Sequence, residues 1–477
     1  MIPVTNPRTG EIDYHIAPAS AEEVGEIASA LRAAQPAWAA LGPAGRAAAL
    51  RQWADVINEN APAIAERLSV DTGRRRLAMI EVMSIVGILQ RWAATGPAII
   101  GTLDRTDQQS AHPNVTISSR HVPYPLFGAI APWNFPLLLA LIDAIPALMA
   151  GCAALVKPSE VTPRFIPALR QTVAAVPALA PVLALVEGDA PTGQAIIANV
   201  DYICFTGSVA TGRKVAEAAA RAFIPANLEL GGKDPMIILA SADPQHAARI
   251  ALRASVQATG QACQSIERIY VARTIAEPFL AALVREADGV RLNHPDIAVG
   301  DIGPFIFPAQ AVKVQAQIDD AVAKGARLLT GGRVENLGGG LYLRPTVLID
   351  VTADMAVIQE ETFGPVLPVT AFDKTDDAIR LANATSYGLS AAVIGDVAEA
   401  ESVAARLEAG AISINDGALT AMVWDAENSS FKLSGMGASR MGDSGITRFF
   451  RTQAFIRQNG APATLAAIAE DGATTGV

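Results

Sequence analysis

The residues best suited to covalent chemistry lie in Gln257-Ala258-Thr259-Gly260-Gln261-Ala262-Cys263-Gln264-Ser265-Ile266-Glu267-Arg268, where one of three cysteines is set among Gly, Gln and Ser. A thiolate needs an accessible polar or electropositive setting, whereas buried cysteines behave as small hydrophobes. Cys263 is therefore a candidate nucleophile, and a half-buried free thiol is the alternative. Glu229, in Asn227-Leu228-Glu229-Leu230-Gly231-Gly232-Lys233, is a carboxylate between apolar residues, a placement that favours a general base. A glutamate that only bonds a backbone amide would look the same. Asn134 stands in Pro132-Trp133-Asn134-Phe135-Pro136, where the prolines fix the backbone; it is either a side-chain donor to an oxyanion or a turn former.

A second group of residues could hold phosphates and sugars. Phe205-Thr206-Gly207-Ser208-Val209-Ala210-Thr211-Gly212 puts two glycines and hydroxyls at a strand-to-helix turn, where free amides and the helix dipole attract phosphate. A tight turn is the plain alternative. After an earlier strand, Lys157-Pro158-Ser159-Glu160 offers Lys157 to a ribose, and Glu160 to adenosine ribose hydroxyls while repelling a 2′-phosphate. A surface lysine and a first-turn glutamate would fit equally. In Glu360-Glu361-Thr362-Phe363-Gly364-Pro365, a carboxylate beside an aromatic ring could grip a ribose and flank a flat ring, or could simply end a helix.

The elements that must position these residues follow from pattern. Ser20 with Glu23 forms a capping box, and apolar residues then recur at three and four, with Pro43 and Pro62 as breaks. Two or three helices are expected up to Gly101. Asn114 to Val122 alternates with period two and reads as a strand with polar alternate residues. Strands at Ala153–Val156, Leu183–Val186 and Tyr202–Phe205 then alternate with helices, one of them capped by Thr162 with Pro163 in its first turn and another over Val209–Ala222. This alternation predicts parallel strands covered by helices, an open doubly wound sheet. A second α/β region starts near Gly231, with strands at Pro235–Leu239, Arg268–Val271 and Leu389–Val393 and a helix over Asp320–Gly325. A late strand is expected over Ile446–Ile456, followed by an Ala- and Gly-rich tail.

Length and composition agree with a large globular enzyme. The 477 residues are 51% hydrophobic and 18% charged, so core volume is not limiting and a chain folded nearly throughout is expected. With a net charge of -10 and no basic run beyond Arg74-Arg75-Arg76, which reads as a solvated helix face, nucleic acid is not an expected partner. Three cysteines without CxxC suit a reducing compartment, and five scattered histidines form no metal motif. The N-terminus lacks signal-peptide character, and prolines, Asp143 and Gly151 break the apolar run from Phe135 to Val156 into a buried helix and a strand, not a membrane span. A soluble cytoplasmic protein is expected.

Taken in order, the Pro-Trp-Asn loop, Lys-Pro-Ser-Glu, Phe-Thr-Gly-Ser, Glu-Leu-Gly-Gly-Lys, Gly-Gln-x-Cys and Glu-Glu-x-Phe-Gly-Pro-Val resemble the aldehyde dehydrogenase superfamily. Asn383 to Leu389 and Lys432-x-Ser434-Gly435-x-Gly437 extend the likeness, which runs to about residue 458. The resemblance implies an α/β fold in three parts. These are a Rossmann-like doubly wound NAD-binding domain (1–104 and 124–231), an α/β catalytic domain (232–431) and a β-hairpin oligomerisation arm (105–123 and 446–460), with 461–477 as a tail. It implies Cys263 as nucleophile, Asn134 as oxyanion donor together with the Cys263 amide, and Glu229 as base. It also implies NAD (NADP possible) held by Lys157, Ser159, Glu160, Gly207, Ser208, Gly212, Glu361, Phe363 and Trp133. The substrate pocket would be lined by Phe135, Leu139, Ile142, Ala262 and Gln264, with the loop Asp416–Trp424. The reaction so implied joins thiolate to aldehyde, passes hydride to nicotinamide, and hydrolyses the resulting thioester with water activated by Glu229. A homodimer or homotetramer is implied as well.

Two departures bear on substrate. Glu427-Asn428-Ser429-Ser430-Phe431 replaces the usual Pro-Phe-Gly-Gly before the late lysine, and Val209 stands where threonine is frequent. The apolar pocket and the lack of an obvious arginine in those segments favour an uncharged aliphatic or aromatic aldehyde over a semialdehyde acid. A CoA-acylating dehydrogenase would commonly lack Glu229. A cysteine hydrolase would need a histidine placed against Cys263, and none of the five lies in a recognisable partner motif; the presence of Cys263, Glu229 and Asn134 together argues against a non-catalytic binding protein.

Overall fold

Four helices follow a small N-terminal hairpin of Ile2–Thr5 with Ile12–Ile16 in the computed structural model, which describes residues 1–470. Two or three were expected. The helices are Ala21–Ala40, Gly42–Glu59, Ala61–Thr72 and Arg75–Gly101. The Ser20–Glu23 capping box is present, and Pro43 and Pro62 occupy first turns as their missing N–H allows. The additional break is Gly73, whose φ of 64° ends the third helix in the left-handed region. The fourth is the one described helix long and apolar enough to cross a membrane; 50% of its apolar window is buried inside the protein, and it packs on the second and third helices.

These helices cover a six-stranded sheet whose spatial order is Gly435–Met436, Ala226–Glu229, Tyr202–Thr206, Leu126–Ile130, Ala153–Lys157, Leu183–Leu185. All neighbours are parallel except the first pair. The segment from Phe135 onward forms the short buried helices Pro136–Leu141 and Ala144–Ala150 before the strand Ala153–Lys157. From Leu126–Ile130 the chain winds outward to Leu183–Leu185, then crosses back to Tyr202–Thr206 on the opposite flank. Strand order therefore reverses between Leu126–Ile130 and Tyr202–Thr206, and such a reversal opens a crevice at the carboxyl ends. The Pro132 loop leaves one of these two ends and Gly207-Ser208 leaves the other.

The second sheet has seven strands in the order Arg327–Thr330, Thr346–Ile349, Val366–Phe372, Ile266–Ala272, Asp234–Ile238, Ser390–Ile394, Ala411–Ile414, parallel apart from the first pair. Residues Leu230–Lys233 carry the chain from Glu229, at the end of the first sheet, to Asp234, at the start of the second. Asn114–Val122 is realised as Val115–Pro123, the middle of a three-stranded antiparallel sheet with Arg105–Gln109 and Phe450–Gln458.

Three expectations change in detail. Thr162 does not cap a helix: that helix starts at Ile166, and the Thr162 hydroxyl instead donates to the Trp133 carbonyl at 3.3 Å. The helix placed at Asp320–Gly325 spans Pro308–Ala323. The late strand starts at Phe450 because Ser444–Phe449 forms a 3-10 turn, with Ile446 and Phe449 fully buried and the Phe449 ring edge-on to Phe127 at 5.3 Å. Of the expected tail, 461–470 is exposed and residues 471–477 lie outside the described residues.

Candidate active site

Cys263 sits between the helix Pro244–Val256 and the strand Ile266–Ala272, beyond a turn in which Ala258, Thr259 and Gly260 are all left-handed (φ 55°, 61° and 67°). A β-branched residue there costs on the order of 1–3 kcal/mol. The Thr259 hydroxyl offsets part of this by donating to the Gly303 carbonyl at 3.0 Å, and the Gln261 side chain fastens the turn to Pro304 and Ile306. The Gly260 backbone passes so close to Gly364 that a Cβ would lie 2.4 Å from its carbonyl carbon. The turn thus docks against the loop that carries Glu361 and Phe363. Cys263 is free and half-buried, while Cys152 and Cys204 are buried in the first core. Burial pushes the Cys263 thiol up to about 12; Asp234 and Glu361 add to this, and Arg440 opposes it.

Asn134 is buried, and its side-chain amide donates to the Gln261 carbonyl at 3.1 Å, which brings the Pro-Trp-Asn loop against the Cys263 turn. Arg74 secures the same junction. It is not on a solvated face, as its triplet suggested, but buried. It donates to the Asn134 carbonyl at 2.5 Å and the Ala258 carbonyl at 3.5 Å, with its guanidinium 5.3 Å from the centre of the Phe135 ring. Glu81, from the same helix as the rest of the triplet, accepts from the Leu137 and Leu138 amides and so caps the helix that follows Asn134. No sequence signal separates Arg74 from Arg75 and Arg76. Arg74→Met should therefore lower kcat about tenfold or more by loosening the Asn134 loop. Steady-state assays alongside a thermal melt check this, and an unchanged kcat in a folded variant would show that the tether is dispensable.

Glu229 ends its strand next to Gly231-Gly232, and the reason for that glycine pair is steric. A Cβ on Gly231 would lie 2.5 Å from a Glu361 carboxylate oxygen, and one on Gly232 would lie 2.6 Å from the Cys263 carbonyl oxygen. The pair lets Glu229, Glu361 and the Cys263 turn converge. The Ser430 hydroxyl donates to Glu229 at 3.0 Å, so the departure at 427–431 reaches the candidate base directly. The Arg440 Nε lies 3.9 Å from the other Glu229 oxygen.

Glu361 accepts from the Gly232 amide at 3.1 Å, and burial, with Glu267 nearby, raises its carboxyl to about 7. Phe363 is held left-handed (φ 57°) because buried Glu267 accepts from the Thr362 and Phe363 amides and is paired with buried Lys233 at 2.7 Å. Breaking such a pair leaves an uncompensated charge and costs about 3–5 kcal/mol. Neither Lys233 nor Glu267 stood out in the sequence. The Phe363 ring meets Trp133 edge-on at 5.4 Å, and Phe307 lies beside Trp133 at 6.1 Å.

From Trp133 a cleft of about 990 Å³ runs along the strand-order reversal, lined among others by Lys157, Ser159, Glu160, Gly207, Ser208 and Thr211. The Lys157 ammonium donates to the Glu160 carboxylate at 3.1 Å and the Gly188 carbonyl at 2.7 Å; Lys157 is buried and Glu160 is partly exposed. Ser208 caps the helix Val209–Ala222 through the Thr211 amide, which leaves other first-turn amides open to an anion. Gly212 does not line the cleft. It is buried where a Cβ would lie 2.6 Å from the Leu230 side chain, so its smallness serves helix packing. The size of the cleft, the Lys157–Glu160 pair on its wall and the helix start fit a nicotinamide dinucleotide, which would supply a hydride acceptor.

Of the expected pocket residues, Ala262 and Gln264 flank Cys263, and the Phe135 ring lies under Arg74. Leu139 is half-buried in its short helix. Ile142 lines a separate cavity of about 210 Å³ with Trp92, Trp424 and Met441, and Arg91 and Arg440 also reach it. Two arginines border this space where none was expected, but each is paired, Arg91 with Asp443 and Arg440 with Asp143.

The model of the aldehyde dehydrogenase family matches residues 1–455. A Mycolicibacterium smegmatis protein named as a putative succinate-semialdehyde dehydrogenase [NADP(+)] is 36% identical over 456 residues, covering 94% of this chain and 87% of that one. Betaine aldehyde dehydrogenase 1 of Rhizobium meliloti is 36% identical over 419 residues, covering 86% and 84%. The structure of the putative aldehyde dehydrogenase PutA from Anabaena variabilis superposes with a TM-score of 0.94 at 47% identity, covering 97% of this chain and 99% of that one. Matched along almost its whole length in sequence and in fold, the chain belongs to the aldehyde dehydrogenase family.

Proposed function

We propose that the aldehyde-to-acid oxidation of this family is carried here by Cys263, Asn134 and Glu229, with NAD as the preferred nicotinamide cofactor. The convergence of the three residues supports the reading: Asn134 is bonded to the Cys263 turn, and Gly231-Gly232 joins Glu229 to it. The thiolate of Cys263 adds to the aldehyde carbon, and the Asn134 amide with the Cys263 N–H meets the alkoxide as its charge appears. Collapse of the alkoxide expels hydride from that carbon, for which a nicotinamide held in the cleft would be the acceptor, and leaves a thioester on Cys263. Glu229 then takes a proton from water, the hydroxide oxygen adds to the thioester carbonyl, the C–S bond breaks, and acid and thiolate are released.

The substrate reading is an uncharged aliphatic or aromatic aldehyde. The cavity at Ile142 is walled by Trp92, Trp424 and Met441, and its two guanidinium groups are already paired with aspartates. An aldehyde panel followed by nicotinamide absorbance tests this: aliphatic or aromatic aldehydes should give higher kcat/KM than a semialdehyde acid, and the reverse order would overturn it. The preference for NAD rests on Glu160, whose partly exposed carboxylate would repel a 2′-phosphate. Glu160→Ser should raise the NADP-to-NAD ratio of kcat/KM about tenfold or more, and an unchanged ratio would remove Glu160 from the account.

The same reading divides the chain into nucleotide-binding (1–104 and 124–231), catalytic (232–431) and arm (105–123 and 446–460) parts. Its arm strand Phe450–Gln458 is exposed over most of its length, Phe455 and Ile456 included, which suits self-association into a dimer or tetramer.

A further inference from the structure

Arg440 occupies a position that the reaction as described leaves unused. One of its terminal nitrogens donates both to the Asp143 carboxylate at 2.9 Å and to the Thr206 hydroxyl at 2.8 Å. Asp143 is itself buried and paired with Arg448 at 2.6 Å. Burial alone would raise the Asp143 carboxyl, but Arg440 and Arg448 outweigh it and hold the group below its ordinary range. The guanidinium is thus anchored at its far end by a carboxylate that stays ionised. Its near end is not satisfied: the Arg440 Nε is buried, has no hydrogen-bond partner among the described residues, and lies 3.9 Å from a Glu229 carboxylate oxygen. A buried N–H without a partner costs about 1–3 kcal/mol, and a movement of about 1 Å by the Glu229 side chain would convert the gap into a charge-assisted bond of about 2.8 Å. Arg440 reaches this place because Gly435–Met436 pairs antiparallel with Leu228-Glu229, which brings the returning chain alongside the strand that carries the base.

We propose that Arg440 is a positioning residue for Glu229: anchored by Asp143 and Thr206, it presents its Nε–H to the carboxylate and, opposite Ser430, sets the orientation in which Glu229 takes the proton from water during thioester hydrolysis. The inference rests on the reading of Glu229 as the base. In the step concerned, water gives a proton to Glu229, its oxygen bonds to the thioester carbon, and the bond to the Cys263 sulfur breaks with the electron pair returning to sulfur. Arg440 exchanges no proton. With one donor on each oxygen, the carboxylate plane is fixed, and the one acceptor site left on each oxygen faces a set direction.

Arg440→Lys separates this role from a structural one. Lysine keeps the charge and can keep the Asp143 contact, but it has no second N–H group placed to reach Glu229. The variant should melt within a few degrees of the parent and release its first equivalent of reduced nicotinamide at the parent rate, yet turn over about tenfold more slowly or worse. Intact-protein mass spectrometry in the steady state should find the acyl group accumulated on Cys263. Arg440→Met should show the same split, more strongly, and if it fails to fold, the lysine variant decides. Parent-like turnover and no accumulated acyl group in Arg440→Lys would overturn the proposal. The Arg440→Lys/Glu229→Gln double variant should be no slower than Glu229→Gln alone; additive losses would show that Arg440 acts elsewhere and would also overturn it. If Glu229→Gln alone turns over like the parent, the base assignment is what fails, and that outcome is distinguishable from failure of Arg440 alone.

Discussion

Cys263→Ser should abolish aldehyde oxidation, lowering kcat on the order of a thousandfold or more, while NAD binds as before. The two other cysteines cannot substitute. Cys152 and Cys204 are buried in the first core, Cys152 just before the strand Ala153–Lys157 and Cys204 within the strand Tyr202–Thr206, closed to any substrate, whereas Cys263 is only half-buried. A serine hydroxyl fits the Cys263 site without disturbing the left-handed turn before it, so the loss should be chemical and the fold intact. The cleft proposed for the cofactor is not lined by Cys263. Nicotinamide absorbance gives the rate, and quenching of tryptophan fluorescence, to which Trp133 contributes, gives the NAD affinity. Undiminished oxidation by the serine variant would remove Cys263 from the mechanism.

Glu229→Gln should divide the reaction in two. The first turnover should proceed, because thiol addition and hydride loss do not require the base assigned to water. Steady-state turnover should fall about a hundredfold to ten-thousandfold, the usual contribution of a positioned general base. Stopped-flow absorbance should then show a burst of one equivalent per active site followed by near-arrest. Glutamine can still accept from Ser430, and its neighbours Gly231 and Gly232 are unchanged, so the site geometry should persist. Loss of the burst itself would mean that Glu229 acts earlier, on the Cys263 thiol.

The three candidate catalytic residues lie at element ends, Asn134 between prolines, Glu229 before paired glycines and Cys263 in a polar turn ahead of a strand, but local pattern left each a plain alternative, and it was the order of the motifs shared with aldehyde dehydrogenases that singled them out. By contrast, alternating strands and helices revealed the doubly wound sheet, because period and turn chemistry are local. What was not legible depends on contacts far apart in the chain. Arg74 looks like its neighbours Arg75 and Arg76, yet it alone turns inward, toward Asn134 and Ala258. Lys233, just before the strand Asp234–Ile238, pairs with Glu267 on the neighbouring strand to fix Phe363. Ser430 and Arg440 reach Glu229 only because a two-residue strand returns to the edge of the first sheet. Gly212, expected beside the cofactor, is instead packed against the Leu230 side chain and is not among the residues lining the cleft, a contact the motif does not report. The early helices were undercounted because Gly73 ends a helix through its backbone conformation, which periodicity does not report.

The most direct measurement is to mix the Glu229→Gln variant with an aldehyde substrate and NAD, quench within the first turnover, and map the acylated peptide by mass spectrometry. The account predicts one acyl group per chain on the peptide that contains Cys263, in an amount equal to the burst of reduced cofactor. A burst with no covalent adduct, or an adduct on Cys152 or Cys204, would contradict it.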